Sequence, residues 1–253
     1  MLLGKQPHTK RITVQVAGCG DAFGTGGRLQ TCFLLDASVR ILIDCGASAL
    51  SGLKRLGVDP QSVDLIVLSH LHGDHFAGVP FLIRETEIAA TRKKQLDIVG
   101  PEGHERRVTA AMGLLFPGGG RNTGFRVNYE QYVSGQDLQI GSVRVRATPV
   151  QHTVGTNAHA VRIEVDNKVV VYSGDTGWMD GLVELSAGAD LFICECYQDV
   201  PGVPNHMDRR TLKANRSRLS CKKLLLTHSG PRVTPQLDSE FAIWASDGMV
   251  IPI

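Results

Sequence analysis

No run of apolar residues in this 253-residue chain approaches the length of about 18 that a membrane-spanning helix needs, so no span is expected. The N-terminal stretch MLLGKQPHTKR also lacks the apolar core of a signal peptide. Charge of one sign is missing too. With 27 basic and 25 acidic residues the net charge is +2, which gives no general pull toward nucleic acid or a lipid surface. There is no C-x-x-C pair: Cys19, Cys32, Cys45, Cys194, Cys196 and Cys221 are scattered. In a chain this long they read as reduced thiols of a cytoplasmic protein. No linker rich in proline, serine or charge interrupts the sequence, and no short repeat or low-complexity segment is visible. One domain over residues 1–253 is therefore expected, long enough to bury a sizeable core.

What is present is a succession of short apolar runs. Residues 12–17 alternate as a strand does, and TCFLLD (31–36) and RILIDCG (40–46) follow a glycine-rich turn, GCGDAFGTGG. A G-x-G after a strand raises the question of a dinucleotide cofactor. That motif requires a helix next, and here a strand follows, so the turn reads instead as one whose backbone can approach a ligand closely. Further strands are expected over 64–69, 96–100, 168–175, 191–196 and 223–228, with an antiparallel run over 125–134, 137–149 and 159–165. Helices are expected over 47–57, 75–92 (with Pro80 as an early interruption), 102–115, 179–187 and 207–219. Strands dominate early in each half and alternate with helices later. That pattern implies two sheets with helices packed outside them.

The chemistry sits where these strands end. DLIVLS runs into His70, His72, Asp74 and His75, in the motif SHLHGDH. VRVRATPVQ runs into His152, KVVVYSG into Asp175, and KLLLT into His228. Buried strands must stay apolar inside, so polar groups collect at their ends. His70 and His72 are two apart, so in an extended segment they share a side and can chelate one ion, while Asp74 and His75 lie past the bend and can face a second. Each later residue alone has a plainer reading: His152 or His228 as a surface or capped histidine, Asp175 as a turn residue. Six of the nine histidines fall in or near these segments, which makes a solvated turn a poor account of the set.

SHLHGDH followed in order by His152, Asp175 and His228 resembles the metallo-β-lactamase fold superfamily, over nearly the whole chain. The resemblance implies an αββα four-layer sandwich with a dinuclear centre between the sheets. It implies that His70, His72 and His152 hold one divalent ion, that Asp74, His75 and His228 hold the other, and that Asp175 bridges them. Asp44, in LIDCG, matches a position that orients a ligand histidine. Zinc is the first expectation for the metal, with manganese or iron as alternatives.

Within the superfamily, GCGDAFGTGGRLQTCFLLD and SHLHGDHFAGVPFLI are similar to the ribonuclease Z branch. That likeness matches His206, in PNHMD, and Glu195, in ICECY, to a catalytic histidine and its partner. Alternation along LFICEC places Glu195 on the face opposite Cys194 and Cys196. Asp74, His206 and Glu195 are thus the catalytic candidates. The chain departs from ribonuclease Z in two places. Only 22 residues separate His152 from Asp175, leaving no room for the family's tRNA-gripping arm, and the family's His-Glu-Ala-Thr stretch is CECY here. The expectation is a hydrolase of small phosphodiesters acting through a metal-bridging hydroxide, with no membrane partner, nucleic acid not favoured as a substrate, and a homodimer as the default assembly. Arylsulfatase, lactone or thioester hydrolysis, a ribonuclease Z-type nuclease and a non-catalytic binding paralogue are the alternatives. The segment 209–223 holds seven basic residues and no acid, and reads either as a polyanion grip or, preferably, as the solvated face of a helix.

Overall fold

The computed structural model describes residues 11–89, 91–120, 124–231, 233 and 241–253. The stretch 1–10, in which no signal sequence is expected, lies outside them, as do positions 90, 121–123, 232 and 234–240.

The first half builds a sheet from β1 (Thr13–Gly18), β2 (Cys32–Asp36), β3 (Arg40–Ile43), β4 (Leu65–Val67), β5 (Leu96–Gly100) and β6 (Val127–Gln131). β1 to β3 form an antiparallel meander, and β3 to β6 run parallel. The second half repeats this plan with β7 (Asp137–Ile140), β8 (Val143–Pro149), β9 (His159–Val165), β10 (Lys168–Tyr172), β11 (Leu191–Glu195) and β12 (Leu224–Thr227). β7 to β10 are antiparallel, and β10, β11 and β12 parallel. Two short strands close the outer edges: β13 (Ile243–Trp244) pairs with β12, and β14 (Val250–Pro252) with β1.

Alternation along each strand produces the layers. Phe33, Leu35, Ile41, Ile43, Leu65 and Val67 of the first sheet meet Val145, Ile163, Tyr172, Ile193 and Leu225 of the second in a core between the sheets. The intervening Leu34, Leu42 and Ile66 face outward. There they pack on α1 (Ala49–Arg55), α3 (Val79–Ala89) and α4 (His104–Leu115) through Leu53, Leu82 and Val108. On the other side Phe192, Cys194 and Leu226 pack on α5 (Gly181–Leu185) and α6 (Arg209–Ala214) through Leu182 and Leu212. The result is the expected αββα sandwich. The six cysteines are all buried and free. Among the described residues no helix is long and apolar enough to cross a membrane.

Three details correct the sequence reading. Residues 125–134 do not join the antiparallel run: β6 pairs in parallel with β5 and edges the first sheet. The run 137–149 is two strands, split at Gly141, which takes a positive φ of 56°. Pro80 does not interrupt a helix over 75–92. The chain breaks ahead of it, between a four-residue turn α2 (Gly73–Phe76) and α3, and Pro80 sits in the first turn of α3, where its missing N–H costs nothing. The strands β13 and β14, of two and three residues, went unread because they are too short to show a period.

Candidate metal centre

The parallel strands all point their C-terminal ends to one edge of the sandwich, and that edge gathers every expected ligand. Asp44 follows β3, and His70 and His72 follow β4. Asp175 follows β10, Glu195 closes β11, and His228 follows β12. His152 arrives on the loop after β8. The HLHGDH bend itself changes conformation midway. His72 is extended (φ −79°, ψ 150°) and leads into α2, which carries Asp74 and His75. Behind the bend, Gly46 leaves room for backbone: a Cβ there would lie 2.2 Å from the carbonyl oxygen of Asp74.

Two sets of ligand atoms result. His70 Nε2 and His152 Nε2 lie 3.2 and 3.0 Å from His72 Nδ1. In the second set, Asp74 Oδ2 lies 3.1 Å from His75 Nε2 and 3.3 Å from His228 Nε2. Asp175 Oδ2 stands between the sets. It is 3.4 Å from His75 and 3.3 Å from His228 on one side, 4.0 Å from His70 and 3.9 Å from His152 on the other. Ligands about 2.0–2.1 Å from a tetrahedral ion stand roughly 3.3 Å apart, so these spacings suit a first-row divalent cation. His75 Nε2, a ligand atom of the second set, is buried with no hydrogen-bond partner, a costly state that a cation there relieves. The donor set therefore fits divalent metal.

Three of the ring nitrogens facing away from the centre are tied down. His75 Nδ1–H donates to Asp44 Oδ2 at 2.6 Å. His70 Nδ1–H donates to Ser69 Oγ at 3.0 Å, and that hydroxyl donates to Asp44 Oδ2 at 2.7 Å. His152 Nδ1–H donates to the carbonyl of Asn205 at 3.3 Å. Each bond leaves Nε2 as the lone-pair nitrogen toward the centre. Asp44, wholly buried and at a positive φ of 55°, thus orients two of the expected ligands, one more than the sequence suggested. Asp44→Asn presents an amide N–H to His75 Nδ1–H, which forces the wrong tautomer. The expected result is an affinity for Zn²⁺ about 10–100-fold weaker by competition with a chromogenic chelator; wild-type affinity would refute the orienting role.

The two sets differ electrically. Burial pulls His70 well below the ordinary imidazole range, and the neighbouring His75 adds to this; burial likewise lowers His72 and His152. Those three are neutral and ready to ligate at neutral pH. Burial also works against charge on His75 and His228, but Asp175 and Asp74 overcome it. His75 is raised well above its usual value, and His228 is pushed up to about 10. The carboxylates of the second set thus draw protons in place of a cation. A metal ion entering that set must displace them, so uptake should release protons and weaken as pH falls. Zn²⁺ titration of the apoprotein in weakly buffered indicator dye at pH 7–8 should show that release, and it should be smaller in His228→Ala. Uptake without proton release would contradict the assignment of the second set.

Beside the metal ligands, Glu195 Oε1 forms a short bond with His206 Nδ1. Glu195 is fully buried, and its Oε2 accepts from the backbone N–H of Thr176 at 2.8 Å and of Met207 at 3.2 Å. One carboxylate so fixes the residue after Asp175 and the residue after His206. Burial opposes charge on His206, but the bond and charge of Glu195 outweigh it and raise the imidazole above its usual range. His206 is half-buried and lines a cleft of about 170 Å³ together with His72, Asp74, His152, Asp175 and His228. Tyr197 lines it too, its ring centroid 4.6 Å from that of His206. The sequence reading passed over Tyr197, although it lies two residues beyond Glu195 and so on the same face. Larger depressions exist, one beside Arg144, Arg146 and Arg162, another beside Val108, Met112 and Tyr129, but neither gathers a set of ligand atoms. The glycine-rich turn contributes Ala22 and Phe23 to the cleft, whereas its Gly18 and Gly20 serve chain packing: a Cβ on Gly18 would lie 2.0 Å from the carbonyl oxygen of Gln30.

Within the basic segment 209–223, Arg209 pairs with Asp199, Arg218 with Asp180 and the face of Trp178, and Lys222 with Asp190.

A family model described as "Beta-lactamase superfamily domain" matches residues 39–229. The chain is 33% identical over 233 residues to protein ML1173 of Mycobacterium leprae, covering 88% of this chain and 78% of that one. It is 25% identical over 261 residues to the ribonuclease Z of Mycobacterium bovis, covering 93% of this chain and 92% of that one. The crystal structure of YhfI from Bacillus subtilis, a metallo-β-lactamase fold protein, matches with a TM-score of 0.77 at 25% identity, covering 95% of this chain and 99% of that one.

Proposed function

This chain belongs to the β-lactamase superfamily, and from that premise we propose that it is a single-domain, dinuclear metallo-hydrolase of phosphodiesters. The observation that carries the reading is the placement of Asp175 Oδ2, within 4.0 Å of imidazole nitrogens from both ligand sets, beside the paired His206 and Glu195. His70, His72 and His152 would hold one ion, Asp74, His75 and His228 the other, and Asp175 would bridge. Zinc suits this imidazole and carboxylate set, as do manganese and iron. When bound, two such ions would supply a water nucleophile near neutral pH and charge to balance the phosphoryl oxygens. The chain's own part is to position and to protonate. Glu195 holds His206 by Nδ1, which leaves its other ring nitrogen to deliver a proton to the departing oxygen. Glu195 also fixes the backbone beside Asp175, so the proton donor and the bridging carboxylate share one support. A proton donor matters most when the leaving oxygen is an alkoxide, which favours an alkyl phosphodiester over an aryl sulfate or a thioester, whose leaving groups depart as weakly basic anions. The cytoplasm, where free buried thiols persist, is the expected setting.

A ribonuclease reading has one specific support. The ribonuclease Z of Mycobacterium bovis is matched over 92% of its length and 93% of this chain.

Metal-quantified protein should hydrolyse a chromogenic phosphodiester with Zn²⁺ or Mn²⁺, faster than an aryl sulfate or a lactone. Two metals per chain with only sulfatase or lactonase turnover would keep the centre and reject the phosphorus chemistry. A precursor tRNA substrate tests the ribonuclease reading directly.

A further inference from the structure

At the mouth of the cleft stands an aromatic side chain that the reaction chemistry does not use. Phe23 lines the same cleft as His72, Asp175 and His206, yet it is 87% exposed. Leaving so large an apolar ring in water forfeits burial energy, and nothing in the core needs it there.

The loop that carries Phe23 is built to hold it still. Asp21, wholly buried, accepts from the Thr25 backbone N–H at 2.8 Å and from the Thr25 hydroxyl at 2.6 Å. The side-chain amide of Gln30 donates to the carbonyl of Ala22 at 2.9 Å, and Gly20 N–H donates to the carbonyl of Leu29 at 2.6 Å. Gly24, Gly26 and Gly27 take positive φ of 66°, 69° and 76°, so the tip turns tightly without strain. Positions on both sides of the aromatic residue are therefore pinned. The opposite sheet offers a second pinned tip after Thr153, another residue of the cleft wall. There Val154 is 99% exposed, on a turn closed by Thr156 N–H to Thr153 O at 3.2 Å and tied to the ligand bend by Leu71 N–H to Thr156 O at 3.0 Å.

Size sharpens the point. The cleft, about 170 Å³, is below the roughly 300–1,000 Å³ of a typical small-molecule site, so a bulky substituent extends along its wall, which includes Phe23.

We infer that Phe23 is a specificity-determining residue: it stacks on a planar aromatic ring, aryl or nucleobase, borne by a substituent of the ester hydrolysed at this centre. The assignment rests on the metallo-hydrolase reading of the site but not on phosphorus chemistry being its natural reaction. An aromatic side chain with only two rotatable bonds, on a pinned backbone, loses little freedom when it binds a ring, and stacking tolerates any ring with a π-face. Leucine at the same position supplies apolar area without a face to stack on.

Phenylphosphonate and methylphosphonate make the test, because neither is hydrolysed and they differ only in the ring. Isothermal titration of the Zn²⁺-loaded protein should give a preference for the phenyl compound. The phenyl-to-methyl affinity ratio should fall about tenfold in Phe23→Ala, stay low in Phe23→Leu and recover in Phe23→Trp. Phe23 is exposed, so these variants should fold, which an unchanged melting temperature verifies. A ratio of one in the wild type, a ratio untouched by Phe23→Ala, or full recovery with leucine would overturn the assignment. Turnover of p-nitrophenyl methyl phosphate, measured beside it, tests the phosphodiester reading alone: its failure with an intact phenyl preference would reject phosphorus chemistry and keep the stacking residue.

Discussion

Asp175→Ala should cost more than any other single substitution at the centre: metal content below that of the wild type, and turnover lower by about 10³-fold or more. The reason is position rather than charge alone. Among the described residues its Oδ2 is the one carboxylate oxygen within 4.0 Å of imidazoles from both ligand sets. Removing it leaves His75 and His228 with Asp74 as their only carboxylate within 4 Å of Nε2 among the described residues, and leaves the first set as three neutral histidines. Burial tends to keep Asp175 protonated, but His228 and His75 outweigh it and hold the carboxyl well below its usual range. Metal analysis after gel filtration, read together with turnover, checks the expectation. Full occupancy with intact turnover would remove the bridging role. Asp175→Asn separates shape from charge: if occupancy is retained while the rate falls, the bridge needs the charge and not merely an oxygen.

His206→Ala is the second large effect and should have the opposite signature. Turnover should fall by about 10²–10⁴-fold while metal content stays at the wild-type level, because His206 belongs to neither of the two sets around Asp175. The loss should be greater for an ester with an alkoxide leaving group than for one leaving as p-nitrophenolate, which needs no proton. Glu195→Gln refines this through pH. Glu195 raises His206 above the ordinary imidazole range, against the pull of burial. As a proton donor His206 is competent below its pKa, so activity should decline as pH rises through that raised value. Without the carboxylate the pKa falls, and the alkaline limb of the kcat profile should move to lower pH. Glu195→Ala should be worse than Gln, since it also frees the Thr176 and Met207 N–H groups. An empty centre in His206→Ala, or an alkaline limb unmoved in Glu195→Gln, would show that the pair supports structure rather than proton transfer.

The metal-competent residues were legible in the sequence because each stands at the end of an apolar strand, where periodicity stops and a polar group must be explained. The long runs such as DLIVLS and KLLLT declare themselves as buried strands, and SHLHGDH carries its own chelating spacing. Glu195 was legible only through the likeness to ribonuclease Z; alternation in LFICEC added the face on which it lies. Pairing partners were not: residues 125–134 look like the strands after them, and only the sheet shows that β6 belongs beside β5, far from its sequence neighbours. Local pattern specifies that a segment is a strand, whereas pairing depends on which edge is open when the chain arrives.

Residue identity and order alone determined which side chains can ligate, that they sit at strand ends, and that two sheets with outer helices carry them. Tertiary structure decided the rest. It set Asp44 behind both His70 and His75, put Asp175 between the two sets, and raised Phe23 at the mouth beside His206. Sequence separations of 31 residues from Asp44 to His75 and 154 from Asp74 to His228 carry no distance information until the parallel strands bring their ends to one edge. The physical reason is that chemistry of a donor is local to its residue, while distance between donors is a property of the packed sheets.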